Sequence, residues 1–67
     1  MQISARNQLC GKIKSIKLGQ VMAEVVLDIS GQEMVAAITR SSVEKLGLKE
    51  GDDAVAIIKA TEVMIGK

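Results

Sequence analysis

Alternating apolar and polar residues predict a β-hairpin in the first half of the chain. From Leu9 the segment LCGKIKSI alternates imperfectly, and KLGQ at 17–20 supplies a glycine turn. The alternation resumes in VMAEVVLDI at 21–29, where every second residue from Val21 to Ile29 is apolar. The opposite face of this second strand also carries Met22 and Val26, which we expect to face another chain.

The next segment predicts a third strand and a short helix. SGQE at 30–33 is typical of a turn, and MVAAIT at 34–39 is apolar on both faces, as in a strand covered on both sides. Ser41 and Glu44 have the spacing of a capping box, which predicts a helix over 42–46. Gly47 is placed to end that helix in a left-handed conformation.

The remaining residues predict two more strands, and with them the fold class. After the charged loop LKEGDD, AVAIIKA and VMI are a fourth and a fifth strand, separated near Thr61. The predicted fold is all-β: a five-stranded OB-type Greek-key barrel with one short helix between strands 3 and 4.

Composition predicts that this fold is stabilised by association. Residues 1–67 are long enough for a single small domain, and 48% of them are hydrophobic although no Phe, Tyr or Trp is present. A lone cysteine and the absence of histidine exclude a disulfide and the usual structural metal sites, which leaves oligomerisation. MQISARNQ is too polar for a signal peptide, and no apolar run approaches a membrane span, so we expect a cytoplasmic protein without a membrane partner.

The same inventory argues against an enzyme. Without histidine there is no Ser-His-Asp triad and no imidazole to activate Cys10, which we expect to be a small buried or half-buried residue. Asp52 and Asp53 lie beside Glu50, where a solvated acidic turn is a commoner explanation than acid/base chemistry.

Basic residues are concentrated near the opening of the chain, although the net charge is only +1. Residues 1–20 hold Arg6, Lys12, Lys14 and Lys17 without an acid. These lysines would suit a nucleic-acid face, but OB folds bind single strands by stacking bases on aromatic side chains, and the chain has none. We therefore expect solvated lysines and no nucleic-acid partner.

Cations and hydroxyls distributed along the chain form a candidate oxyanion site. Guanidinium, ammonium and hydroxyl groups donate the hydrogen bonds that a small oxyanion accepts. Each residue also has an ordinary structural explanation, with Ser41 as a helix cap and Arg6 as a surface charge, and the pattern alone favours those explanations. The candidates are Ser4, Arg6, Thr39, Ser41, Ser42 and Lys59.

Four segments together resemble the molbindins, a family of small molybdate-binding, or molybdenum-pterin-binding, proteins. They are ISARNQLCGKI, AEVVLDISG, AAITRSSVEKLGLKEGD and AIIKATEVMIG, and they cover essentially the whole chain. The resemblance implies an OB-type barrel in a homohexamer, a trimer of dimers, that stores molybdate or tungstate as an oxyanion between subunits, without direct protein ligands to the metal. By position, it assigns the pocket to Ser4, Ala5, Arg6, Thr39, Ser42, Lys59 and Ala60.

The resemblance leaves several questions open. It does not separate molybdate from tungstate, or storage from a ligand-sensing module that acts on a transporter or regulator, and whether a pterin is bound also stays open. Family members are described with a second pocket near a threefold axis, to which no residue here is assigned. Cys10 departs from the lysine of many relatives, which affects only the local charge.

Overall fold

A computed structural model describes residues 2–67; Met1, which the predicted domain includes, lies outside the described residues. Within residues 2–67 the chain forms four strands, one α-helix and a terminal turn of 3₁₀ helix. The elements are β1 (Asn7–Leu18), β2 (Met22–Ile29), β3 (Gln32–Thr39), α1 (Arg40–Leu46), β4 (Asp53–Ile58) and the 3₁₀ turn (Ala60–Glu62).

The strands form one antiparallel sheet in the order β3-β2-β1-β4. A mostly β fold with a helix between the third and fourth strands is therefore confirmed. The fifth strand predicted at 63–65 and the closed barrel are not confirmed. The 3₁₀ turn redirects the chain after β4, and Met64 and Ile65 are 92% and 91% exposed. A strand needs a neighbour for its ladder of hydrogen bonds, and within residues 2–67 this segment pairs with none.

A β-bulge explains the imperfect alternation in β1. Ile13 lies opposite Leu27 but Ser15 lies opposite Val26, so one extra residue, Lys14, is accommodated between them. The bulge shifts the inward face from Ile13 to Ile16, which are buried and half-buried. The irregular sequence pattern therefore marks a bend in a long strand and does not interrupt it.

The core lies between the inner face of the sheet and α1. Its fully buried members are Ile13, Ala23, Val25, Leu27 and Val43. The predicted apolar face of the second strand is confirmed from Ala23 onward, whereas Val21 precedes β2 and is 73% exposed. A core this small provides limited stabilisation for a domain of this length.

Helix α1 begins two residues earlier than the capping-box pattern predicts. The N-cap is Thr39, whose Oγ1 accepts a hydrogen bond from Ser42 N at 3.0 Å; the prediction of Ser41 as the cap was wrong. Glu44 pairs instead with Arg40 across one helical turn, at 3.8 Å. The prediction for Gly47 is confirmed, because it ends the helix with φ of 63°.

Because Thr39 is the N-cap of α1, we expect its replacement to lower stability more than the replacement of Ser41. Thr39→Val removes the acceptor for Ser42 N, and we expect it to lower the free energy of unfolding by about 1 kcal/mol. Thr39→Ser keeps the hydroxyl and should retain most of that stability, and Ser41→Ala should leave it nearly unchanged. Urea unfolding followed by circular dichroism checks all three variants. A larger loss from Ser41→Ala than from Thr39→Val would contradict the assignment of the cap.

Candidate oxyanion-binding site

Arg6 and Lys59 are brought together by the pairing of β1 with β4. Asn7 and Ile58 are the last pair of the ladder, and Arg6 and Lys59 are the residues directly beyond that pair. Like charges that are held close together repel each other. An anion held between the two cations would remove that repulsion.

Both cations line one open cavity of about 500 Å³, far more space than a single tetrahedral oxyanion fills. Gln8 Nε2 donates to Ala5 O at 2.8 Å and so fixes the opening segment against the start of β1. Of the seven residues predicted for the site, this cavity unites five, with Ile57 and Thr61 as additional lining residues. The five are Ser4, Ala5, Arg6, Lys59 and Ala60.

Two of the three lysines of β1 have an acidic partner, whereas the cations of this cavity have none within residues 2–67. Lys12 bonds Asp53 at 2.7 Å, and Lys14 pairs with Glu33. Hydrogen bonding to Asp53 raises the pKa of Lys12, and hydrogen bonding to Glu33 likewise raises the pKa of Lys14. Both lysines therefore stay protonated, and the neighbouring carboxylate balances the positive charge of each.

Within residues 2–67, neither Arg6 nor Lys59 makes an ion pair, and no carboxylate lines their cavity. The cavity therefore carries uncompensated positive charge.

Thr39 and Ser42 form the second part of the predicted site, at the start of α1. Their hydroxyl oxygens are 2.8 Å apart and hydrogen-bonded, with either atom able to donate. One of the two hydroxyl protons is used in this bond, so the pair offers one proton outward while the bond persists. The bond polarises the outward hydroxyl and makes it a better donor to an anion.

The two parts of the site lie at opposite ends of β1. Lys59 follows the residue that pairs with Asn7, whereas Thr39 pairs with Met22, next to the Leu18 end of β1. An extended strand of this length spans on the order of 30 Å. Thr39 and Ser42 accordingly do not line the cavity of Arg6 and Lys59. One chain therefore does not place both parts around one small ion.

Two lining residues, Ile57 and Thr61, were not among the predicted site residues. Alternation along β4 places Ile57 on the same face as Lys59, and this signal was present in AVAIIKA. Thr61 lines the cavity because the 3₁₀ turn places it there. No periodic pattern in the sequence indicates this turn.

Cys10 is exposed, so the expectation of a buried or half-buried thiol was wrong. Val55, its partner in β4, is also on the outward face of the sheet.

Across residues 2–67, no three His, Cys, Asp or Glu side chains cluster as metal ligands. None of the helices in that range is long and apolar enough to cross a membrane.

The fold and the cation-lined cavity are those of a small β domain that is suited to binding an oxyanion. Comparisons with known proteins identify its family. Residues 3–65 match the family model of the TOBE domain. The chain belongs to the TOBE domain family.

Individual relatives cover nearly the whole chain. Molybdenum-pterin-binding protein 3 of Clostridium pasteurianum is 54% identical over 66 residues, which are 97% of each chain. The structure of a molybdate-binding protein from Sporomusa ovata superposes with a TM-score of 0.96 at 49% identity, over 100% of both chains. The structure of the cytoplasmic molybdate-binding protein ModG, with molybdate bound, superposes with a TM-score of 0.84 at 46% identity. This match covers 90% of this chain and 43% of ModG. The resemblance to the molybdenum-pterin-binding proteins is thereby confirmed.

Proposed function

We propose that residues 1–67 are a single domain that binds molybdate or tungstate for storage and homeostasis in the cytoplasm. The oxyanion lies between two copies of the chain. One copy contributes Arg6 and Lys59 with their neighbours Ser4, Ala5 and Ala60, and the other contributes Thr39 and Ser42. The metal is held through its oxygens, without direct protein ligands, and the protein catalyses no reaction.

The observation that carries this proposal is that Arg6 and Lys59 line one cavity, in which no carboxylate is found among the lining residues of the described chain. Two positive charges match a dianion, and an uncompensated charge in a closed site would be costly. Hydrogen bonds to charged groups each contribute about 1.5–3 kcal/mol. Four to six of them would offset the cost of ordering and support micromolar affinity, which needs about −8 kcal/mol.

The proposed assembly is a homohexamer, a trimer of dimers, and the exposed surface of the single chain supports association between copies. The chain exposes 5517 Å² of accessible surface, whereas a folded monomer of 7.1 kDa is expected to expose about 4,100 Å². Large apolar side chains contribute to this surface: Val35 on β3 is 59% exposed, Leu46 on α1 70%, and Met64 beyond the last turn 92%. Contact between copies would cover these residues and would close the cavity over the oxyanion.

Composition favours an inorganic oxyanion over a pterin as the ligand. A pterin ring offers a flat aromatic surface for stacking, and the chain has no Phe, Tyr or Trp to stack on it. Two relatives, the protein from Sporomusa ovata and ModG, are described as molybdate-binding, whereas the relative from Clostridium pasteurianum is named as molybdenum-pterin-binding. Molybdate also satisfies the charge of the cavity.

Selectivity among dianions tests the proposed function. We expect calorimetry to give comparable affinities for molybdate and tungstate, which are nearly equal in size, and roughly tenfold or more weaker affinity for the smaller sulfate. Donors fixed at a strand end and a helix cap cannot contract around sulfate, so several hydrogen bonds would be long or unmade. If sulfate displaced molybdate as readily as tungstate does, the site would be a general anion pocket.

A further inference from the structure

The residue after Ala60 lines the same cavity as the two cations. Thr61 is the middle residue of the 3₁₀ turn that follows β4. Two backbone hydrogen bonds hold this turn, from Glu62 N to Lys59 O at 2.9 Å and from Val63 N to Ala60 O at 3.4 Å. The turn therefore fixes Thr61 relative to Lys59.

The hydroxyl of Thr61 is available to a ligand. Among residues 2–67 it makes no hydrogen bond within the chain, whereas the hydroxyls of Thr39 and Ser42 bond each other. Thr61 is also exposed in the single chain, so no packing against its own core occupies it. A hydroxyl can rotate its proton towards an acceptor without changing the charge of the site.

Neutral donors are scarce on this side of the cavity. Ala5 and Ala60 bring only methyl groups as side chains and Ile57 is apolar, so the side-chain hydroxyls that line it are those of Ser4 and Thr61. A dianion between two cations is already balanced in charge, and its remaining lone pairs call for neutral donors. We propose that the Thr61 hydroxyl donates a hydrogen bond to the bound oxyanion and is a further contact residue of the site.

This inference rests on the proposed function. One series of substitutions tests the Thr61 contact and the oxyanion-binding function separately. Thr61→Val keeps the shape of the side chain and removes the hydroxyl, so we expect molybdate affinity to fall about tenfold by calorimetry. Thr61→Ser restores a hydroxyl and should recover most of that loss. Ser15→Ala, which removes an exposed hydroxyl from β1 outside the cavity, is the matched control. Thermal unfolding of each variant shows whether the fold is retained.

The outcomes separate the contact from the function. If the wild-type protein bound molybdate and Thr61→Val bound it equally well, the contact would be excluded while the oxyanion function stood. Equal weakening by Thr61→Val and Thr61→Ser would mean that a hydroxyl at this position does not restore binding, and it would also overturn the contact. If the wild-type protein bound no molybdate, the proposed function itself would fail.

Discussion

Arg6→Ala is expected to weaken molybdate binding by about 2–5 kcal/mol, which is a loss of about 30-fold or more. The remaining cation, Lys59, would face a dianion with one charge uncompensated. Arg6 is exposed in the single chain and contributes nothing to the core, so the variant should keep its fold. Calorimetric titration of wild type and variant with molybdate measures the difference.

Lys17→Ala provides the matched control for the loss of one positive charge. Lys17 lies on β1 opposite Glu24 and does not line the cavity, so its removal should leave the affinity nearly unchanged. Equal weakening by both substitutions would mean that only the overall charge of the protein matters. An unaltered affinity in Arg6→Ala would return Arg6 to an ordinary surface charge.

Much of the fold could be predicted from short sequence patterns, because neighbouring residues alone determine those features. The period of two in VMAEVVLDI gave the inward face of β2, and a glycine after the helical segment gave the left-handed end at Gly47. Steric freedom at that position belongs to glycine itself and depends on no distant residue. The helix between the third and fourth strands followed from the same local change of period.

Choices between similar residues depended on tertiary structure. Thr39 and Ser41 are both good N-cap residues, and the end of β3 decides between them, because the strand delivers Thr39 in an extended conformation with ψ of 148°. The VMI segment has the composition of a strand, but composition does not supply a neighbouring edge. Within residues 2–67 no such edge receives it.

The candidate site was predictable only by resemblance. Arg6 and Lys59 are distant in sequence, and the pairing of β1 with β4 is what brings them to the same end of the sheet. Charge and hydroxyl content alone left a structural explanation for each of these residues. Thr61 was missed because the 3₁₀ turn removes the alternation that identifies neighbouring side chains on a strand.

A site shared between two copies predicts that two damaged chains can repair each other. Arg6→Ala damages the part of the site with the two cations and leaves Thr39 and Ser42 intact. Ser42→Asp damages the other part, because it replaces a donor with a negative charge that repels the oxyanion. An acidic residue in the first turn of α1 is favourable for the helix, so this variant should fold. Each variant alone should bind molybdate weakly.

A mixed dimer of the two variants contains one site that is doubly damaged and one that has every wild-type group. The two variants are unfolded together and refolded with molybdate. Because the variants differ in mass, native mass spectrometry then distinguishes mixed assemblies from pure ones. Mixed assemblies should carry molybdate, and pure assemblies of either variant should carry little or none. A site shared between copies would be contradicted if mixed assemblies bound no more molybdate than the pure ones, or if wild-type monomers carried the ion.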